Sequence, residues 1–95
     1  MSVQIQLKEE ETKGGAYVGD FNTPDAAMTY SIAGEDTIII DHTEVSDKFR
    51  GQGVGRQLLD ALVAKVRAEN KKIVPVCPYV ISVFERDSGL SDVLK

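Results

Sequence analysis

The stretch that most constrains how this chain can fold is residues 38–70, where β-branched residues are followed by glycines and then by a long amphipathic pattern. Ile38, Ile39 and Ile40 favour a strand that is buried on both faces and therefore central in a sheet. Residues 50–55 then read Arg-Gly-Gln-Gly-Val-Gly. Apolar residues follow at helical spacing: Val54, Leu58, Leu59, Leu62, Val63 and Val66. The sequence predicts a strand, a glycine turn and a helix that packs on one side.

The glycine turn predicts a site for an anionic ligand. Gly51, Gly53 and Gly55 carry no Cβ where a helix begins, so an anion could approach the backbone N–H groups closely. The turn is not a P-loop, because Arg56 and Gln57 follow Gly51 at the distance where Gly and Lys are required, and the third glycine of the dinucleotide fingerprint is also missing. The alternative interpretation is a helix entry that needs glycine only for close packing.

Length and charge limit the possible functions. The 95 residues favour a single domain, residues 1–95, and a net charge of -4 with a pI near 4.9 argues against nucleic-acid binding through a basic face. One cysteine and one histidine exclude a disulfide framework and make a metal site improbable on composition. No apolar run approaches the roughly 20 residues of a membrane helix, and no leader pattern is present. We expect a cytoplasmic protein without a membrane partner, as a monomer or weak dimer.

Alternating and β-branched segments predict five strands, in residues 3–7, 16–19, 26–33, 37–45 and 73–77. Lys13-Gly14-Gly15 predicts the turn of a hairpin between the first two strands. Pro75 cannot donate to a sheet ladder, so the last strand should lie at an edge or splay from its neighbour at that point. Residues 87–95 could form a short strand or a loosely docked end, and the sequence leaves this open.

Two prolines flank the single cysteine, Cys77. Pro78 favours the start of a helix over residues 79–86, which places Cys77 at a strand end and near a helix N-terminus, where a thiolate is favoured. A free cysteine also commonly packs in a core without any chemical role. Both interpretations of Cys77, reactive and structural, stay open.

Three segments together resemble the Gcn5-related N-acetyltransferases, and in particular the minimal single-domain members. The segments are His42-Thr43-Glu44-Val45, Arg50-Gly51-Gln52-Gly53 and Cys77-Pro78-Tyr79-Val80. The resemblance implies an α+β fold, with a mostly antiparallel sheet, a long helix after the glycine turn and a short C-terminal helix. Full-length members carry two helices between their first strands and further C-terminal strands, for which this chain has no room, so the fold is a truncated form and the acceptor site is undefined.

The same resemblance implies that acetyl-coenzyme A lies in a slot between the strands at residues 37–45 and 73–77. Its pantetheine arm would pair with the central strand and its pyrophosphate would lie on the glycine turn. The implied cofactor-binding residues are Thr43, Glu44, Val45, Arg50, Gly51, Gln52, Gly53, Val54, Gly55 and Arg56.

The implied reaction moves acetyl from the coenzyme A thioester to an amine or protein acceptor, by way of Cys77 as an acyl carrier or directly. Larger members often carry a carboxylate base midway along the central strand, where this chain has Ile39 and Ile40, so His42 is the nearest candidate base. His42 could equally be a sheet histidine with a satisfied hydrogen bond, and Tyr79 could be an acid for the leaving thiolate or a core residue. The alternative function is a non-catalytic acyl-coenzyme A binding or interaction domain.

Overall fold

The computed structural model describes residues 3–95, which form one sheet, two helices and two short 3-10 turns. The strands are β1 Gln6–Glu9, β2 Lys13–Gly19, β3 Pro24–Ile32, β4 Thr37–Val45 and β5 Lys72–Pro75. The helices are α1 Val54–Ala68 and α2 Pro78–Arg86. The 3-10 turns are Asp47–Phe49, before α1, and Ser88–Val93, after α2.

The sheet has the strand order β1-β2-β3-β4-β5. Strands β1 to β4 pair antiparallel in succession without an intervening helix, whereas β4 and β5 are parallel because α1 carries the chain back between them. The predicted α+β fold, with a mostly antiparallel sheet, a long helix and a short second helix, is confirmed.

The hairpin at the start of the chain differs from its prediction in the bounds of its first strand and in the position of its turn. Strand β1 begins at Gln6, and Leu7 is 48% exposed, so the half-buried strand expected over residues 3–7 is displaced along the chain. The turn is formed by residues 10–12, where the Glu10 N–H donates to the Lys13 carbonyl at 2.7 Å. Gly14, predicted in the turn, lies in β2. A Cβ on Gly14 would come within 2.5 Å of the Tyr30 hydroxyl oxygen, so this glycine serves close packing rather than a turn.

The core lies on one face of the sheet, which we call the helix face. Residues opposite each other on adjacent antiparallel strands share a face, so Ala16, Met28, Tyr30 and Ile40 point the same way and are buried. They pack against the buried stripe predicted for α1, namely Val54, Leu58, Leu59, Leu62, Val63 and Val66. The other face, which we call the open face, carries no helix within residues 3–95.

The C-terminal tail is docked. Leu90 and Val93 in the 3-10 turn are buried, and Leu94 forms a parallel bridge to Ile73. Arg67 holds the Asp92 carboxylate by two hydrogen bonds of 2.8 and 3.0 Å, which fastens the tail to α1.

None of the helices in the described part of the chain is long and apolar enough to span a membrane.

Candidate functional site

A slot opens where β5 ends while β4 continues. The two strands pair from Thr37 opposite Lys72 to Ile40 opposite Pro75, and beyond this β4 runs on to Val45 without a partner from β5. The N–H groups of Val76 and Cys77 both donate to the Ile40 carbonyl at 3.0 Å, and the chain then turns into α2. The structure thus agrees with both parts of the expectation from Pro75: β5 is an edge strand and pairing ends at the proline.

The glycine turn is an open cradle at the N-terminus of α1. Gly51 and Gly53 have φ of 79° and 73°, and a Cβ built on either would meet no atom within 4 Å. The first hydrogen bond of α1 runs from the Gln57 N–H to the Gly53 carbonyl at 3.1 Å, so the three amides before Gln57 lie where a helix offers unpaired N–H groups. No side chain within residues 3–95 caps this end of α1. The geometry suits a phosphate or another anion.

Gly55 has a different role from the two glycines before it. A Cβ on Gly55 would lie 3.2–3.4 Å from the ring and hydroxyl of Tyr79, so this glycine makes room for the first turn of α2 against the first turn of α1. Gly55 thus makes room for Tyr79, as the alternative interpretation had it, and it also borders the cavity described next, so its contact with a ligand stays a prediction.

A cavity of about 220 Å³ joins the glycine turn to the end of β4. Its walls include most of the residues predicted to bind the cofactor: Thr43, Val45, Arg50, Gly51, Gly53, Val54 and Gly55. Phe49 and Tyr79 complete the wall and were not among them. Burial raises the pKa of Tyr79, so its phenol stays protonated at neutral pH.

The other residues predicted for the cofactor do not line this cavity. Arg56 donates from Nε to Asp60 at 2.9 Å and from Nη2 to Asp87 at 2.5 Å, and these hydrogen bonds raise the pKa of Arg56 above its ordinary value. The Gln52 amide donates to the Lys48 carbonyl at 2.9 Å. Glu44 is exposed on the open face. An i, i+4 acid after Arg56 was visible in the sequence and signals an ion pair within the helix.

Arg50 is the basic residue in the cavity wall. Its guanidinium lies 2.9 Å from the Asp47 carboxylate, with both side chains strongly exposed. An exposed pair of this kind is held by only about 0.2–1 kcal/mol, so Arg50 can exchange Asp47 for an anionic ligand at small cost.

Cys77 lies one contact away from the cavity. The residue is 6% exposed and does not form part of the wall, but its Sγ is 3.2 Å from Oγ1 of Thr43, which does. The sequence placed Cys77 at a strand end and at the start of a helix, and the structure agrees, with Cys77 as the N-cap residue of α2.

His42 lies on the open face, whereas its neighbour Thr43 lies on the helix face. The His42 side chain is 60% exposed, and its Nε2 is 3.5 Å from a carboxylate oxygen of Glu44. The structure therefore does not bring His42 to Cys77, and His42 could serve only an amine that approaches from the open face.

Asp41, which follows the three isoleucines, was not among the predicted site residues. A β-bulge places Asp41 between the pairs Thr29–His42 and Tyr30–Ile40. Its carboxylate accepts hydrogen bonds of 3.1 Å from Thr29 and from Ser31, so it lies on the open face and is turned towards β3. The central strand therefore does carry a carboxylate, one residue beyond the positions where the sequence analysis looked for it.

Comparisons with known proteins agree with this architecture. A sequence profile of the family described as GCN5-related N-acetyl-transferase matches residues 16–93. The chain is similar to a GCN5-like protein of Staphylococcus aureus, solved by NMR and named as a candidate N-acetyltransferase, with 38% identity over 95% of this chain and 87% of that one, and a TM-score of 0.74. It is also similar in fold to the ribosomal-protein-alanine N-acetyltransferase of Brucella melitensis biovar Abortus 2308, with 18% identity, a TM-score of 0.63, and coverage of 81% and 62%.

A curated relative covers less of the chain. Protein NATD1 of Xenopus tropicalis is 36% identical over 55 residues, which are 58% of this chain and 50% of that protein. The match thus spans about half the length of this relative.

Proposed function

Because this chain belongs to the GCN5-related N-acetyltransferase family, we propose that it transfers an acetyl group from coenzyme A to an amine. The observation that supports this most directly is the cradle at Gly51 and Gly53, which opens into the cavity at the end of β4. A turn needed only for packing would have its glycines filled against neighbours, as Gly55 is.

Coenzyme A as the donor substrate suits the residues around this cavity. The amides at the start of α1 and the Arg50 guanidinium would hold the pyrophosphate, because both offer donors to an anion at one end of the cavity. The free edge of β4 beyond Ile40 would pair with the amides of the pantetheine arm as an added strand does. Thr43 and Val45 belong to this edge and line the cavity.

Direct transfer to the amine agrees best with the position of the side chains. The amine nitrogen forms a bond to the thioester carbon while the carbon–sulfur bond breaks, the nitrogen loses a proton and the departing sulfur gains one. Tyr79 is a residue in the cavity wall that can supply that proton, since its phenol carries one at neutral pH.

An acyl-cysteine route through Cys77 stays a prediction. The contact of 3.2 Å between Cys77 and Thr43 places the thiol beside the cavity, but Cys77 is only 6% exposed and does not line the cavity. Intact mass after incubation with acetyl-coenzyme A tests this: an adduct that is lost in Cys77→Ala supports the route, and an unmodified protein that still turns over contradicts it.

An NMR titration with acetyl-coenzyme A tests the binding site. Amides of residues 43–45 and 51–56 should shift most, and shifts confined to β1 and β2 would contradict the proposal. The cavity is smaller than the roughly 300–1,000 Å³ of typical ligand pockets, so we expect a Kd in the micromolar range or weaker, equivalent to about 8 kcal/mol or less.

A matched pair of glycine variants separates binding from folding. Gly53→Asn and Gly34→Asn each place a side chain that tolerates positive φ into open space, since Gly34 has φ of 83° and no atom within 4 Å of a built Cβ. Both variants should therefore cost similar, small amounts of stability. Gly53→Asn should weaken acetyl-coenzyme A binding at least tenfold and Gly34→Asn should not, and equal affinities would show that the cradle does not hold the ligand.

A turnover assay distinguishes an acetyltransferase from a non-catalytic acyl-coenzyme A binding domain. Release of free coenzyme A in the presence of a panel of amines, but not in their absence, is the expected result. Saturable binding at residues 51–56 without release of the thiol for any amine would instead support the binding domain.

A further inference from the structure

The first turn of α1 meets the first turn of α2 at one glycine and one tyrosine. Gly55 is the second residue of α1, and Tyr79 is the second residue of α2. A Cβ built on Gly55 would lie 3.2 Å from Cζ, 3.3 Å from Cε2 and 3.4 Å from the hydroxyl oxygen of Tyr79. The phenol end of the ring is therefore the part that rests on Gly55.

This contact lies in the wall of the cavity that we assign to the donor substrate. Gly55 and Tyr79 both border that cavity, and both are half-buried. Val80 and Val83 of α2 are 0% and 1% exposed in the core, which holds the backbone of α2 in place. The Tyr79 ring can then move only by rotation of its side chain, so the group at position 55 decides how far the phenol can retreat from the cavity.

The backbone of α1 does not itself require glycine at position 55. Gly51 and Gly53 have positive φ, but Gly55 does not, and it lies within the helix. Alanine is more favourable than glycine in a helix. The missing side chain at position 55 thus costs some helix stability, and what it allows is the close approach of the Tyr79 phenol.

The phenol rests at the positive end of α1. The N–H groups of the first turn have no partner within the helix, and Arg56 belongs to the same turn. Burial raises the pKa of Tyr79, and the positive charges of Arg56 and Arg86 oppose that rise. Repulsion from Asp60 and Cys77 raises this pKa further. The helix end and the two arginines thus favour the phenolate that would remain after Tyr79 gives up its proton.

We propose that Gly55 is a positioning residue for the acid of the reaction: it lets the Tyr79 phenol lie back against α1, in the place from which it protonates the departing sulfur. This rests on the proposed acetyl transfer. The amine nitrogen bonds to the acetyl carbon, the carbon–sulfur bond breaks, and the phenol proton goes to the sulfur, which leaves as a thiol. The nitrogen loses a proton to water, and water returns one to the phenolate.

Gly55→Ala tests this role because it adds one methyl group beneath the phenol, which would then have to move by a few tenths of an ångström. A displacement of 1 Å can cost about 100-fold in rate, so we expect kcat to fall by about three- to tenfold. KM for acetyl-coenzyme A should not change. Thermal unfolding should also change little, because the helix propensity of alanine offsets the tighter contact.

A double-mutant cycle with Tyr79→Phe separates positioning of the phenol from contact with the ligand. Tyr79→Phe should lower kcat by about 100-fold, as expected for loss of a general acid. Tyr17→Phe, the same change on β2 away from this cavity, should not. In the Tyr79→Phe background, Gly55→Ala should have almost no further effect. A loss that persists there, or that appears in KM, would mean that Gly55 meets the ligand itself and would overturn the proposal.

NMR of the free protein gives a readout that does not depend on turnover. In Gly55→Ala, the ring signals of Tyr79 should shift and those of Tyr17 and Tyr30 should not. A nuclear Overhauser contact should also join the new methyl group to the Tyr79 ring. Unchanged Tyr79 signals would overturn the contact on which the positioning role depends.

The same assays distinguish failure of this inference from failure of the proposed function. Turnover by the wild-type protein that neither Gly55→Ala nor Tyr79→Phe slows would overturn the positioning role and leave the transferase standing. Absence of turnover by the wild-type protein with any of many amines would overturn the transferase, and this role with it.

Discussion

The two faces of the sheet are built from the same strands and differ in almost everything else. Ile40 on the helix face is fully buried, whereas its neighbour Ile39 on the open face is only half-buried. Tyr30 is buried on the helix face, and the next residue, Ser31, points its hydroxyl at Asp41 on the open face. The helix face is apolar and covered by α1, whereas the open face mixes polar residues with apolar ones such as Ile39 and carries no helix within residues 3–95.

Because of this difference, residues of the helix face stabilise the fold, whereas residues of the open face are available to bind ligands. Residues of the helix face contribute through burial, which is worth about 25 cal/mol per Å² of apolar surface. Several residues of the open face, among them Asp41, His42 and Glu44, are exposed, so packing in the core does not determine their identity. The slot begins after Pro75, where pairing between β4 and β5 ends.

The largest expected effect comes from comparing neighbouring isoleucines. Ile40→Ala should lower the free energy of unfolding by about 2–5 kcal/mol, because it leaves a cavity in a packed core. Ile39→Ala, the same change on the other face, should cost less than half as much. Urea denaturation of both variants measures this, and equal losses would show that the open face is covered in solution.

Tyr30→Phe tests the hydrogen bond that the buried Tyr30 side chain donates to Glu9. The Tyr30 hydroxyl donates to Glu9 at 2.7 Å, and Lys65 of α1 lies 3.1 Å from the same carboxylate oxygen. A hydrogen bond to a charged group contributes about 1.5–3 kcal/mol, so the variant should be destabilised by up to that amount at neutral pH.

The loss in Tyr30→Phe should depend on pH. The hydrogen bond from Tyr30 holds the pKa of Glu9 below its ordinary value, so this stabilisation is present above the unfolded-state pKa and is lost as the pH falls through the folded-state pKa. Denaturation of wild type and Tyr30→Phe should therefore converge below about pH 4, the ordinary range of a glutamate. A difference that stays constant down to pH 3 would contradict a role for the charged carboxylate.

A smaller effect is expected from the ion pair that holds α2 and the tail to α1. Arg56→Gln removes the contacts to Asp60 and Asp87, which are partly exposed, so the cost should be about 0.2–1 kcal/mol and should shrink in high salt. Acetyl-coenzyme A affinity should change little, because Arg56 does not line the cavity. A tenfold loss of affinity would return Arg56 to the binding site where the sequence analysis placed it.

The smallest effect on stability is expected from the open face. Thr29→Ala removes one of the two hydroxyl groups that bind Asp41 and should change the free energy of unfolding by less than about 0.5 kcal/mol, since both groups are accessible to water. Thermal unfolding measures this against Ile40→Ala. A cost above 1 kcal/mol would mean that the open face carries stability as well.

Features with a periodic pattern could be predicted from the sequence. The stripe of α1 follows from spacing, β4 follows from a run of β-branched residues after turn residues, and both agree with the structure. The end of pairing at Pro75 follows from a missing donor, which is a property of one residue.

Features that depend on which residues meet across the fold could not be predicted in this way. Gly14 and Gly55 resemble turn and cradle glycines in the sequence, and only their partners, Tyr30 and Tyr79, show that they serve packing. The bulge at Asp41 could not be predicted either, because an extra residue in one strand is recognised only from the pairing with its partner strand.

The unpaired edge of β4 also bears on how the protein behaves when no substrate is present. From Asp41 to Val45 this strand offers backbone donors and acceptors that could template an extended segment of any other chain, which is how edge strands start aggregation. A ligand that pairs with this edge would act as a protective cover as well as a reactant. It should also raise the apparent stability by RT ln(1 + [L]/Kd). We therefore expect self-association of the free protein on long storage at high concentration, and its suppression by saturating acetyl-coenzyme A.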